Sequence, residues 1–147
     1  YWTDVTELEY RDAVQFHNLI SLTYPHNMFD LLITSDIMEH VRKPDLAYAE
    51  IKRVLKKGGM HIFSIPLQHP MPKETTARVD TSTDKDIDIL PPRYHLAPGD
   101  VRTLVYNDFG ADIIDGMGAF GLETHAVQYD KKNEHLSKLL TFYSINK

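Results

Sequence analysis

Between Phe29 and Pro66 the chain alternates the signals of two secondary structures in a fixed order, and few folds accept that order. Phe29 to Thr34 is nearly all apolar, Ser35 to His40 is a polar turn, and Pro44 opens an amphipathic stretch at a first helical position. Asp45 suits the positive end of that helix, while Ala47, Ile51, Val54 and Leu55 recur at i, i+4, i+7 and i+8. Lys52, Arg53, Lys56 and Lys57 enrich its last turns in cations, Gly58 offers a left-handed stop, and His61 to Ile65 is a second apolar run. Strand, helix, strand with this spacing is a crossover joining two parallel strands. The near-continuous apolar character of Phe29 to Thr34 predicts a strand covered on both faces. Ligands of parallel sheets sit outside the carboxyl ends of the strands, so Ser35 to His40 is the place to look for chemistry.

Elsewhere the signals are shorter. Ala13 to Phe16 reads as a brief strand, and Leu19 to Asn27 as a turn-rich loop broken by Pro25. Residues 67–106 hold Pro70, Pro72, Pro91, Pro92 and Pro98 among many polar residues, which predicts a loop-rich insertion. A loop of that length points to a lid, a small hairpin or a substrate-binding excursion within one domain spanning 1–147. Phe109, Ile113 and Met117 share one face of a short helix, weakened by Gly116 and Gly118. Leu122 to Tyr129 and Leu139 to Ile145 read as two last strands joined through a charged turn, Asp130 to Glu134.

Composition narrows the partners. A net charge of −5, with Lys and Arg dispersed among acids, provides no basic field for a nucleic-acid backbone. Without cysteine there is no thiol nucleophile and no thiolate zinc site. No apolar stretch approaches the length of a membrane span, and the expected setting is the cytoplasm. The histidine pairs His17/His26 and His61/His69 lack ligand spacing, so no metal is expected.

Leu22-Thr23-Tyr24-Pro25, then Phe29 to Ile33, Asp36 with Glu39-His40-Val41, and Glu50 to Gly59, taken in that order, resemble the class I S-adenosylmethionine-dependent methyltransferases, specifically the methyltransferase type 11 group of their small-molecule branch. The resemblance is strong over Ala13 to Ile65 and looser beyond, through Pro91-Pro92-Arg93-Tyr94-His95 and Asp108-Phe109-Gly110. It implies an α/β fold with a partial Rossmann-like sheet. Ala13 to Phe16, Phe29 to Thr34, His61 to Ile65, Leu122 to Tyr129 and Leu139 to Ile145 would be strands three to seven, mostly parallel with an antiparallel last strand. The family's first two strands, its glycine-rich cofactor turn and its ribose-binding acid have no counterpart in these residues. With Tyr1 in place of an initiator methionine, the chain is expected to be the C-terminal part of a longer enzyme that methylates a small molecule, itself inactive when isolated. The alternative is a non-catalytic methyltransferase-like interaction module that self-associates through an exposed sheet edge. A dehydrogenase reading fails for want of a dinucleotide fingerprint.

By the same resemblance, Asn18 and Leu19 would lie at the adenine of S-adenosylmethionine, and Ser35 and Asp36 beside its methionine portion and methyl. Asn18 alternatively caps its own turn. Glu39, Tyr94 and His95 would face the acceptor, with Tyr94 otherwise an anchor in the core. His40 is the candidate general base, set against a packing or positioning role.

Overall fold

A computed structural model describes residues 17–97, 101–128 and 140–147. The expected strand Ala13 to Phe16 and the turn Asp130 to Glu134 lie outside them. The elements run β1 (Phe29–Ser35), a 3-10 turn (Met38–His40), α1 (Pro44–Val54), β2 (Leu55–Ser64), β3 (Thr76–Ala77), β4 (Val79–Asp80), β5 (Ile87–Asp88), β6 (Tyr94–Ala97), β7 (Val101–Leu104), β8 (Asn107–Asp108), α2 (Ile113–Gly118), β9 (Leu122–Gln128) and β10 (Leu140–Asn146). Four of the strands form the main sheet in the order β1-β2-β10-β9.

The crossover forms as the spacing predicts: β1 and β2 pair in parallel, Leu32 opposite His61 and Ser35 opposite Ser64, with α1 between them in sequence. The other two ladders, β10 with β2 and β10 with β9, are antiparallel. The sheet is therefore mixed and not, ladder by ladder, mostly parallel, because β10 enters between β2 and β9. Helix α1 stops at Val54, and the chain is already extended at Leu55. Gly58 does take a left-handed φ of 78°, but inside β2, where the ladder is irregular between Phe29 and Leu31. At neighbouring Gly59 a Cβ would come within 2.8 Å of the Lys56 carbonyl oxygen, so the bend needs a residue without one.

Strand periodicity sends alternate residues to opposite faces. One face carries His61, Phe63, Phe142 and Leu122, fully or nearly fully buried against Ala47, Tyr48 and Ile51 of α1 and Ile113 and Met117 of α2. Phe63 stacks on Phe142 at 5.0 Å between ring centroids and on His61 at 4.8 Å. The opposite face is open among the described residues: Leu31 and Ile33 are 49% and 63% exposed. The prediction that this strand is covered on both faces is thus corrected. An apolar run says that a strand sits centrally in its fold, not which surfaces these residues themselves cover.

Asn146 ties the sheet to α1. Its side-chain amide donates to the Leu55 and Lys52 carbonyls at 2.7 and 3.2 Å, and its Oδ1 accepts from the Lys52 ammonium. Orphan carbonyls at the helix end are satisfied in this way from a strand 91 residues further on.

The proline-rich stretch is built of small antiparallel ladders, β4 with β5 and β6 with β7, while β3 pairs with β8 beyond it. Buried Arg78 anchors it, donating to Asp108 at 2.8 Å and to the Pro91 carbonyl. Gly110 lets the start of α2 approach this stretch, since a Cβ there would fall 2.5 Å from the Glu74 carbonyl carbon.

Candidate active site at the carboxyl ends of the parallel strands

Both parallel strands deliver polar groups at their exits. The hydroxyls of Ser35 and Ser64 are hydrogen-bonded to each other at 3.0 Å, Ser64 Oγ donates to Asp36 Oδ1 at 3.2 Å, and the Asp36 amide donates to the Ser64 carbonyl at 3.1 Å. Asp36 pays for this turn with a left-handed φ of 49°, uncommon for a residue with a Cβ and characteristic of functional turns. Ser35 and Asp36 are exposed at the strand tip.

Three residues on, the 3-10 turn buries Glu39 and His40. His40 Nδ1–H donates to the Leu104 carbonyl at 2.7 Å, which leaves Nε2 of the neutral ring as an acceptor. His95 of β6 approaches that nitrogen with its Nδ1 at 3.1 Å, the two rings standing edge to face. Glu39 Oε1 lies 3.5 Å from both ring nitrogens, and neither Glu39 oxygen makes a hydrogen bond of ordinary geometry. Burial pushes the Glu39 carboxyl up to about 7, opposed by its own backbone amide and reinforced by Asp36. Burial likewise lowers the His40 pKa, with the Leu104 carbonyl pulling the other way.

A cavity of about 140 Å³ opens beside this group, lined by Glu39, Leu67, His95, Val105 and Phe109, with Pro66 and Gln68 following β2. Arg93 borders it too, held by Asp108 at 2.7 Å. Exits of both parallel strands thus contribute to one hollow.

Of the residues singled out from sequence, Ser35, Asp36, Glu39, His40 and His95 gather at this end of the sheet. His40 stands behind Glu39 and His95 and is not part of the cavity lining. Tyr94 is half exposed on β6, under the Arg102 guanidinium at 5.0 Å from its ring centre, and anchors no core. Leu19 joins the hydrophobic core, and Asn18 Oδ1 accepts the Ile20 amide at 3.2 Å, the local turn cap that was its alternative role. His17 pairs with Thr23, and His61 is buried against Thr34 at 2.9 Å, each apart from the cavity. Sequence reasoning missed Leu67, Val105 and Phe109 as cavity walls; only their apolar character in a polar stretch marks them.

Residues 4–63 match a protein family described as a methyltransferase domain. No curated protein matches the chain significantly. Among solved structures, an S-adenosylmethionine-dependent methyltransferase from Mesorhizobium loti is 16% identical with a TM-score of 0.54, covering 87% of this chain and 65% of its own. A methyltransferase of the same kind from Listeria monocytogenes is 10% identical at 0.55, covering 89% of this chain and 67% of its own. A glycopeptide N-methyltransferase complexed with S-adenosyl-L-homocysteine is 10% identical at 0.57, over 89% and 59%. At these identities the likeness is one of fold, and the chain spans about two thirds or less of the lengths of the first and third.

Proposed function

We propose that the chain is a class I S-adenosylmethionine-dependent methyltransferase, serving methyl transfer to a small-molecule acceptor and contributing the acceptor side of that machinery, a reading supported by the methyltransferase-domain match over residues 4–63 and by the fold. The observation carrying this reading is the hollow shared by the exits of β1 and β2, where parallel sheets hold their ligands. On this reading β1, β2, β9 and β10 are the family's fourth, fifth, sixth and seventh strands, an assignment supported by the order β1-β2-β10-β9.

The fit to S-adenosylmethionine is partial. The exposed tip formed by Ser35 and Asp36 suits the methionine portion, with Asn18 and Leu19 beneath the adenine. A glycine-rich turn of the family's kind is not present in the 147 residues. When bound, the cofactor supplies an electrophilic sulfonium methyl. This chain's residues orient the acceptor: Leu67, Val105 and Phe109 exclude water from its apolar body, Glu39 and His95 offer polar contacts from the cavity wall, and Tyr94, outside that lining on β6, would reach only an acceptor extending beyond the cavity. His40 acts as a positioning residue, its ring fixed by Leu104 and its Nε2 turned to His95.

Titrating the ¹⁵N-labelled chain with S-adenosylhomocysteine tests the donor side. Weak, millimolar binding with shifts confined to the amides of Asn18, Leu19, Ser35 and Asp36 is expected. Micromolar binding would overturn the view that the donor grip is incomplete, and shifts located elsewhere would overturn the site. The second reading, an interaction module, is favoured by one observation, the exposed Leu31 and Ile33 on the edge strand β1.

A further inference from the structure

We propose that Glu39, His40 and His95 form a three-ligand binding site for a divalent transition metal, Zn²⁺ in particular, with its fourth position open to the cavity. The three donor atoms, Glu39 Oε1, His40 Nε2 and His95 Nδ1, make a triangle with edges of 3.1, 3.5 and 3.5 Å. A tetrahedral zinc with bonds of ~2.0–2.2 Å places its ligands ~3.3–3.5 Å apart, so the triangle already has the dimensions of one face of that polyhedron. Two imidazoles and a carboxylate are a ligand set of catalytic zinc, which keeps one position for water or substrate.

The surroundings have the features of a built site. Glu39 has a side chain only 3% exposed, yet both of its oxygens lack a hydrogen bond, an arrangement that is costly unless something unaccounted for occupies the place. A hydrogen bond from His95 to His40 explains one edge of the triangle and leaves the carboxylate unexplained. A cation explains all three. His40 is oriented as metal-bound histidines commonly are, its other nitrogen donating to a backbone carbonyl, here Leu104 at 2.7 Å. For His95 to ligate through Nδ1, its proton moves to Nε2, which faces no constraint from a second hydrogen bond to this group. Asp36 adds negative charge nearby, and Arg93, which borders the cavity, is turned to Asp108, a carboxylate it shares with Arg78. The fourth ligand position gives onto the walls Leu67, Val105 and Phe109, where a water or an acceptor oxygen or nitrogen would complete the shell.

The inference stands on the triangle and does not depend on methyl transfer, so a negative S-adenosylhomocysteine titration leaves it intact. Its test is calorimetric titration of chelator-treated protein with Zn²⁺, alongside visible spectra with Co²⁺. One ion per chain at micromolar or tighter affinity is expected, with the intense bands of four-coordinate Co²⁺. Glu39→Gln and His95→Ala should each lose affinity by at least the ~10–100-fold that outer-shell partners alone are worth. His95 lies on an outer hairpin with its side chain 38% exposed, which keeps His95→Ala folded, and His125→Ala on β9 should bind like the parent. Absence of binding by the folded chain, unchanged affinity in His95→Ala, or the faint spectrum of six-coordinate Co²⁺ would each overturn the proposal.

Discussion

Asn146 joins two elements with one side chain. It is almost fully buried, donates to two carbonyls at the end of α1 and accepts from Lys52, so every hydrogen-bonding capacity of its amide is used or shielded. Replacing it with alanine strands the Leu55 carbonyl away from water, the case in which a lost hydrogen bond costs most. Asn146→Ala is expected to lower stability by ~1–3 kcal/mol in urea unfolding, with an unchanged dependence on urea concentration. Asn146→Asp should do at least as much damage, since a carboxylate has no proton to donate to either carbonyl.

β1 ends the sheet with one edge paired, and in the described structure one of its faces leaves large apolar side chains bare. Leu31 and Ile33 stand on that face, and the register continues it across the sheet through Met60 and Ile62 to Ile145 and Tyr143. On the interaction-module reading, this surface drives association of the chain with itself. Leu31→Lys combined with Ile33→Lys should then shift the light-scattering mass toward that of a monomer while amide dispersion stays native. The double lysine variant perturbs stability little, because neither side chain contributes to the buried core. An unchanged mass in parent and variant alike, equal to one chain, removes self-association from consideration.

For the molecule as a whole, His61 imposes a pH limit. Burial against Thr34 and Phe63 lowers its pKa from 6.5 to about 3, so the folded chain keeps this ring neutral where the unfolded chain protonates it. Between about 6.5 and about 3 the unfolded state holds the extra proton on this ring, so the His61 contribution to stability falls as pH drops through that window and is level above it, while Glu39, whose folded carboxyl is raised from 4.5 to about 7, contributes in the opposite direction between those two values. The difference in melting temperature between the parent and His61→Gln, followed from pH 7.5 down to 5, isolates this contribution and should shrink as the pH drops. The site and fold were unequally legible. The crossover could be read because Pro44, the apolar spacing of α1 and the second apolar run act locally, within a few residues of one another. The place of Ser35, Asp36 and Glu39 at the exit of a parallel strand could be read for the same reason. His95 reaches His40 across 55 residues, a distance over which no periodicity speaks, so the meeting of these two rings, with β6 paired to β7, could not be read from the sequence, where only His17/His26 and His61/His69 are weighed as ligand pairs. The bare face of β1, unlike the exposed sheet edge, escaped notice because an apolar run does not name its cover. One last consequence concerns synthesis. β10 is paired on both sides, with β2 and β9, yet it follows both in the chain. A ribosome releases β9 before its neighbour in the described sheet exists, so that segment must wait, unzipped and accessible to chaperones, until the later strand threads into the gap.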